Sequence, residues 1–316
     1  MSIFKCPSNK KEKEKRISEI YNSFECWIKN PKIRELVELT GGDFVETTNF
    51  SELFEFIFNY SRKWDFRSNN GNSQERWNIK DFGVYVERED DIKKIAKELG
   101  YMDNPLFETT PTVIVPVGGA RLSNLTRCEK AHEIYEKSSK IRAVVALSGL
   151  REINEIEIPY IETYSPGANN EFEAISSAME KVFGLSEIEF EESEMFTNSN
   201  LSWVRRKYKD KEGVEFYSYA APSLDGSRRA NSYDSFLFLL KNFELSEDDN
   251  IAIVTSSIYA PFQYVRFLPI ALESNLNVEF IGGANGAFTN ASNYCQEIKA
   301  TFDAMKDFML KYPKPE

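Results

Sequence analysis

The stretch 112–121 most constrains what this chain can fold into. An apolar run of Val113, Ile114, Val115 and Val117 stops at Gly118-Gly119, and a helical pattern begins just beyond. A buried strand that turns through glycines into a helix leaves backbone N–H groups where the helix dipole adds positive potential, so the junction suits an anion. Segments 143–149, 216–223 and 251–257 have the same form of strand end. The sequence therefore says more about where a ligand binds than about what is done to it.

The rest of the chain supports this frame. Its 316 residues are 41% hydrophobic, enough for a sizeable core in one or two domains. A formal charge of −11 and a pI near 5.0 argue against general nucleic-acid binding, which needs clustered Lys and Arg. No segment approaches the roughly 20 consecutive apolar residues of a membrane span, and the charged run 10–16 has no apolar segment behind it. The expectation is a cytoplasmic protein. Cys6, Cys26, Cys128 and Cys295 show no CxxC spacing and read as reduced thiols, with no zinc site or disulfide framework. His132, the sole histidine, falls in the helical pattern 124–137. A multi-histidine metal centre is excluded, and His132 reads as a partly buried helix residue rather than a catalytic base.

Residues 1–108 read as a mainly helical region, with helical spacing at 17–28, 33–39, 50–60 and 90–99; Pro105 and Pro111 mark the change beyond it. The domain 109–316 then alternates apolar runs with amphipathic helices, which predicts a parallel sheet covered on both faces. Strands are expected at 112–117, 141–147, 158–164, 214–221, 250–256 and 277–281. Helices are expected at 123–138, 170–183, 199–208, 232–242, 261–273 and 289–311. In such sheets ligands bind at the carboxyl ends of the strands.

The polar residues that follow the strands are the candidates for function. Gly118, Gly119, Arg121 and Arg127 suit a phosphate or carboxylate, although neither GxGxxG nor a P-loop is present; a tight turn with a solvated Arg121 is the alternative. Ser148 and Gly149, followed by Arg151, repeat the pattern, with Ser148 a ligand contact rather than a nucleophile. Glu171 and Glu173, behind Asn170, open a helix; capping explains them, and either is otherwise the best general acid or base in a chain so short of histidine. Thr197 and Asn200 enter the next predicted helix. Arg228, Arg229 and Asn231 precede another and suit a phosphate, and Thr255 and Ser256 end a strand.

Taken in order, these pieces resemble the YdcF/SanA/ElyC-like family of Rossmann-type domains over residues 112–283. The matches are Gly118 and Gly119, Arg127 and Ala131, Ser148 and Gly149, Glu171 or Glu173, Thr197 and Asn200, and Thr255 with Ser256. Ser199 stands where the family has an acidic residue, and the Ile258-Tyr259 region where it has a histidine. The resemblance implies an intracellular small-molecule role and makes S-adenosylmethionine a compatible cofactor.

The resulting expectation is an α/β protein with a Rossmann-like parallel sheet, helices on both faces and a helical N-terminal region. Its leading function is an enzyme acting on an anionic, nucleotide-like or sugar-phosphate molecule, with Glu171 or Glu173 as acid or base. The alternative is a sensor or scaffold that binds S-adenosylmethionine or a nucleotide without turnover. A methyltransferase would need Glu152 or Glu162 at the ribose. Trp64, Phe66 and Trp77, beside Arg62, Arg67 and Arg76, form a lid, a partner surface or simply core.

Overall fold

The computed structural model describes residues 10–68, 76–102, 110–283 and 289–315; Cys6 and Pro105 lie outside them. The N-terminal region is helical, with α1 (Lys10–Ile28), α2 (Pro31–Leu39), α3 (Phe50–Ser61), α4 (Val84–Glu87) and α5 (Glu89–Glu98). Asn30 and Asn49 accept backbone N–H bonds at the starts of α2 and α3.

Beyond it run β1 (Val113–Pro116), α6 (Ser123–Lys137), β2 (Ala143–Ser148), α7 (Ile158–Ile161), α8 (Glu171–Phe183), β3 (Ile188–Glu194), β4 (Trp203–Lys211) and β5 (Val214–Ala220). The chain continues through α9 (Ser232–Asn242), β6 (Asn250–Ser256), α10 (Ala260–Ser274), β7 (Asn277–Gly283) and α11 (Ala291–Lys311). Among the described residues these strands form one seven-stranded sheet, ordered β3-β4-β5-β2-β1-β6-β7. The five strands from β5 to β7 are parallel.

The central strands are apolar throughout because both sides are covered. Val113 and Val115 face one core and Ile114 the other, as the two-residue period of a strand requires. The second core holds α6 and α8. The first holds α9, α10, α11 and the N-terminal helices, where Phe24 meets Phe308 at 5.5 Å and Trp27 meets Phe302 at 5.3 Å. The chain leaving β1 thus enters a helix on one face, while that leaving β6 enters a helix on the other. The diverging connections open a crevice at the strand ends.

Three sequence expectations need correction. The sheet is mixed, not wholly parallel, because β4 runs antiparallel to β5 and β3 antiparallel to β4. Residues 203–208, expected to be helical, are a strand. Val204 and Tyr208 point inward, while Arg205, Arg206 and Lys207 pair with Glu192, Glu191 and Glu189 of the neighbouring strand. Glu212 (φ 57°) and Gly213 (φ 80°) make the tight hairpin turn that joins β4 to β5. Residues 158–161, expected as part of a strand, form a single helical turn that carries Pro159 near its start, a position proline favours.

Candidate anion-binding site

A cleft of about 1000 Å³ lies over the carboxyl ends of β1, β2 and β5. Arg67, Arg76, Arg127, Arg151, Arg228 and Arg229 line it, with Glu171 as the carboxylate among the described lining residues. In a chain of net charge −11 this is a local concentration of cations, offset in part by Glu157, Asp234 and Glu297, which pair with Arg151, Arg228 and Arg76 from behind the lining.

The glycines after β1 serve the site differently from expectation. The Gly118 N–H bonds Leu147 O at 2.6 Å and the Gly119 N–H bonds Asn124 Oδ1 at 2.8 Å, so both are committed within the protein. A Cβ on Gly118 would run into Glu171 Oε1, and one on Gly119 would sit 2.8 Å from Arg127 Nη1. The two glycines make room for the carboxylate and for the buried arginine.

Arg127 lies beneath the floor. It donates to Val117 O at 2.8 Å, to Gly118 O at 2.5 Å and to Ser256 Oγ at 3.1 Å. Burial pushes its guanidinium down to about 10, while Tyr259 and Glu171 favour the charge. Its hydrogen bonds go to neutral oxygens, and its positive potential reaches the cleft above it.

Glu171 opens α8 and is joined to Arg151 twice. Its N–H bonds Arg151 O at 2.8 Å, and its Oε2 accepts from Arg151 Nε at 2.8 Å. Arg151 is held in turn by Glu157, whose side chain is fully buried, through bonds of 2.6 and 2.9 Å. Burial opposes the charge on Arg151, but Glu157 and Glu171 together raise its pKa. Burial likewise pushes the Glu157 carboxyl up, yet Arg151 and the N–H groups of Asn154 and Arg121 hold it below its usual range. Glu157 therefore ties the loop after β1 to the loop after β2.

On the far wall, Asn231 and Asp234 form a capping box at α9. The buried Asp234 carboxylate takes Arg228 at 2.5 and 3.1 Å. Asn200 donates to Gly226 O at 3.1 Å and accepts the Ser223 N–H at 2.7 Å, which fixes the loop bearing both arginines.

Arg67 and Arg76 reach the cleft from the N-terminal region. Arg76 pairs with buried Glu297 of α11 at 2.6 Å and lies 4.3 Å over the Tyr259 ring. Gln296 Oε1 accepts the Phe66 and Arg67 N–H groups at 2.8 and 3.1 Å, and Asp81 caps α11 through Ala291 and Ser292. Trp64 and Phe66 are core residues.

The structure thus brings together Gly118, Gly119, Arg127, Ser148, Gly149, Glu171, Asn200, Arg228, Arg229 and Asn231 around one cleft, with Glu171 directly against Gly118. Five other candidates lie elsewhere. Arg121, at φ 55°, turns its guanidinium over Tyr160. Glu173 accepts from Asn169 and Asn170 in the cap of α8. Thr197 is exposed outside the cleft, and Thr255 and Ser256 are buried behind it. His132 meets Phe183 edge-on at 5.2 Å, away from the site. Sequence reasoning missed Glu157 and left Arg67, Arg76 and Arg151 without an assigned role. The Arg-aromatic cluster around 62–77 was the available signal for two of them.

The N-terminal helices match a family model. Residues 11–100 fit the model described as the Rv3785 N-terminal domain. The chain is similar to the uncharacterized proteins Rv3785 and MT3893 of Mycobacterium tuberculosis and Mb3814 of Mycobacterium bovis. Identity is 24% over 300 residues, covering 88% of this chain and 84% of each relative. No solved structure matches. These relationships overturn the YdcF/SanA/ElyC-like resemblance, which rested on short motifs at strand ends. Many α/β sheets place glycines and small polar residues at such ends, and the family's Thr-x-x-Asn element here leads into a strand. Among the described residues, no helix is long and apolar enough to cross a membrane.

Proposed function

We propose that the strand-end cleft binds a phosphate-bearing small molecule and that Glu171 carries a proton in its conversion, as in a hydrolase or transferase. The observation that carries this reading is six arginines gathered on one cleft in an acidic chain, with Glu171 as the carboxylate among the described lining residues and Glu157, Asp234 and Glu297 holding three of the arginines from behind. Guanidiniums bind phosphate in a bidentate manner and favour the charge that develops on a transferring phosphoryl group. The parallel strands would then act as a Rossmann-like binding layer, with the arginines in place of glycine-loop N–H groups. S-adenosylmethionine fits this lining poorly, because its sulfonium cation would face guanidiniums. Glu152 and Glu162 are exposed and do not line the cleft, which leaves a methyltransferase without its ribose contact.

Thermal shift against inorganic phosphate, pyrophosphate, sugar phosphates and nucleotides tests the binding. A ligand at 100 times its Kd adds about 2.7 kcal/mol of stability. Turnover of the binding compound should fall about 10²–10⁴-fold in Glu171→Gln, with affinity kept within a few-fold. A compound that binds but is returned unchanged by the wild type makes the protein a binding module. Unaltered turnover in Glu171→Gln removes that residue from the chemistry.

A further inference from the structure

Beside the arginine cleft, between α9, α10 and α11, lies a second cavity of about 460 Å³. Phe236 of α9, Val265 and Ile270 of α10 and Phe308 of α11 give it an apolar and aromatic floor, and Lys311 stands at its edge. Phe236 meets Phe267 edge-on at 4.5 Å, so the wall is preformed. Arg266 and Asp307, which pair at 2.5 Å, border it.

The two cavities adjoin. Ser232 and Gln263 border both, and Gln263 Nε2 donates to Ser232 Oγ at 3.3 Å. Gln263 Oε1 is buried with no hydrogen-bond partner. With the amide turned the other way, its other end would lack one. A half-satisfied amide at the junction can meet a polar group of a ligand that passes from one cavity to the other.

The geometry points to a ligand in two parts, a phosphate among the arginines and an apolar portion along α10, joined past Gln263. This rests on the phosphate-binding reading of the cleft and narrows it to amphiphilic phosphate esters. From Phe262 to Ile270 the groove follows about 12 Å of helix, enough for an alkyl chain or a flat ring system. A compact sugar phosphate would leave it unused.

The test is calorimetric titration of the full chain with inorganic phosphate, ethyl, butyl, hexyl and octyl phosphate, and naphthyl phosphate. Affinity should rise roughly two- to fourfold per added methylene until the groove is filled. Ala304→Phe, which fills the groove from α11, should abolish that rise while leaving inorganic phosphate unaffected; the wild-type series decides the matter if this variant fails to fold. Tight naphthyl with flat alkyl affinity identifies a ring as the occupant, and the reverse identifies a chain. Phosphate binding with no gain from any apolar group overturns this inference and leaves the cleft's function intact. Alkyl trimethylammonium salts that bind as tightly as the phosphates also overturn it, since the binding is then detergent-like. Failure of every phosphate compound to bind sinks the parent reading itself.

Discussion

Replacing Glu157 by alanine is expected to destabilise the protein by about 3 kcal/mol, the cost of removing the fully buried one of the two carboxylates that hold a largely buried arginine. Glu157 is fully buried, and its two oxygens take both terminal nitrogens of Arg151, the Asn154 N–H and the Arg121 N–H. With the carboxylate gone, Arg151 keeps only Glu171 as an ionic partner, and the loops after β1 and β2 lose their link. Glu157→Gln should cost less, because one amide can meet part of the same set. The sign with pH follows from the lowered carboxyl pKa. Its contribution is present at neutral pH and is lost as pH falls below the ordinary carboxylate value of about 4.3. Urea unfolding at pH 7 measures the difference; a loss under 1 kcal/mol for the alanine variant would show that Glu157 does not organise these loops.

Arg76→Ala should have a double effect, on stability and on anion binding. Glu297 sits fully buried on α11, where burial pushes its carboxyl up while Arg76 and Arg67 pull it down. Tyr259 and Tyr101 are the other ionisable groups beside it. Without Arg76, keeping Glu297 ionised costs more, and the expected loss is about 3 kcal/mol at neutral pH. A carboxyl raised on folding contributes full stability below its unfolded value and loses it as pH rises through the folded one. The deficit should therefore be small at pH 4 and grow toward pH 8. Adding Glu297→Gln should restore stability but not phosphate affinity, which separates the structural role of Arg76 from its place in the cleft. A deficit that does not change with pH would contradict this account.

The central architecture was legible because its signals are local. Apolar runs ending in glycine or serine mark β1, β2 and β6, and three-to-four spacing marks the helices. The hairpin of β3 and β4 was not, since Arg205, Arg206 and Lys207 interrupt an alternation that makes sense only opposite Glu192, Glu191 and Glu189. Charged residues that pair across strands look like a solvated helix face when read along the chain.

The site divides in the same way. Glu171 and Arg228 stand at or just before helix starts, where topology makes position informative, whereas Asn200 lines the cleft although the helix expected at 199–208 is a strand from Trp203 onward. Arg67 and Arg76 reach the cleft only through their attachment to α11, more than 200 residues away in sequence. Glu157 gives no sign in the sequence that it will be buried. At Gly118 and Gly119 the sequence points to free N–H groups and to close approach; the N–H groups are taken up within the protein, and the missing side chains make room for Glu171 and Arg127.

The central claim is that an oxyanion binds among these arginines, and tungstate-soaked crystals test it most directly through the anomalous scattering of tungsten. The account predicts a dominant anomalous peak in the cleft, within hydrogen-bonding reach of Arg228 or Arg151 and near Gly119 and Ser148. An empty cleft, with tungstate only on surface lysines, would contradict it.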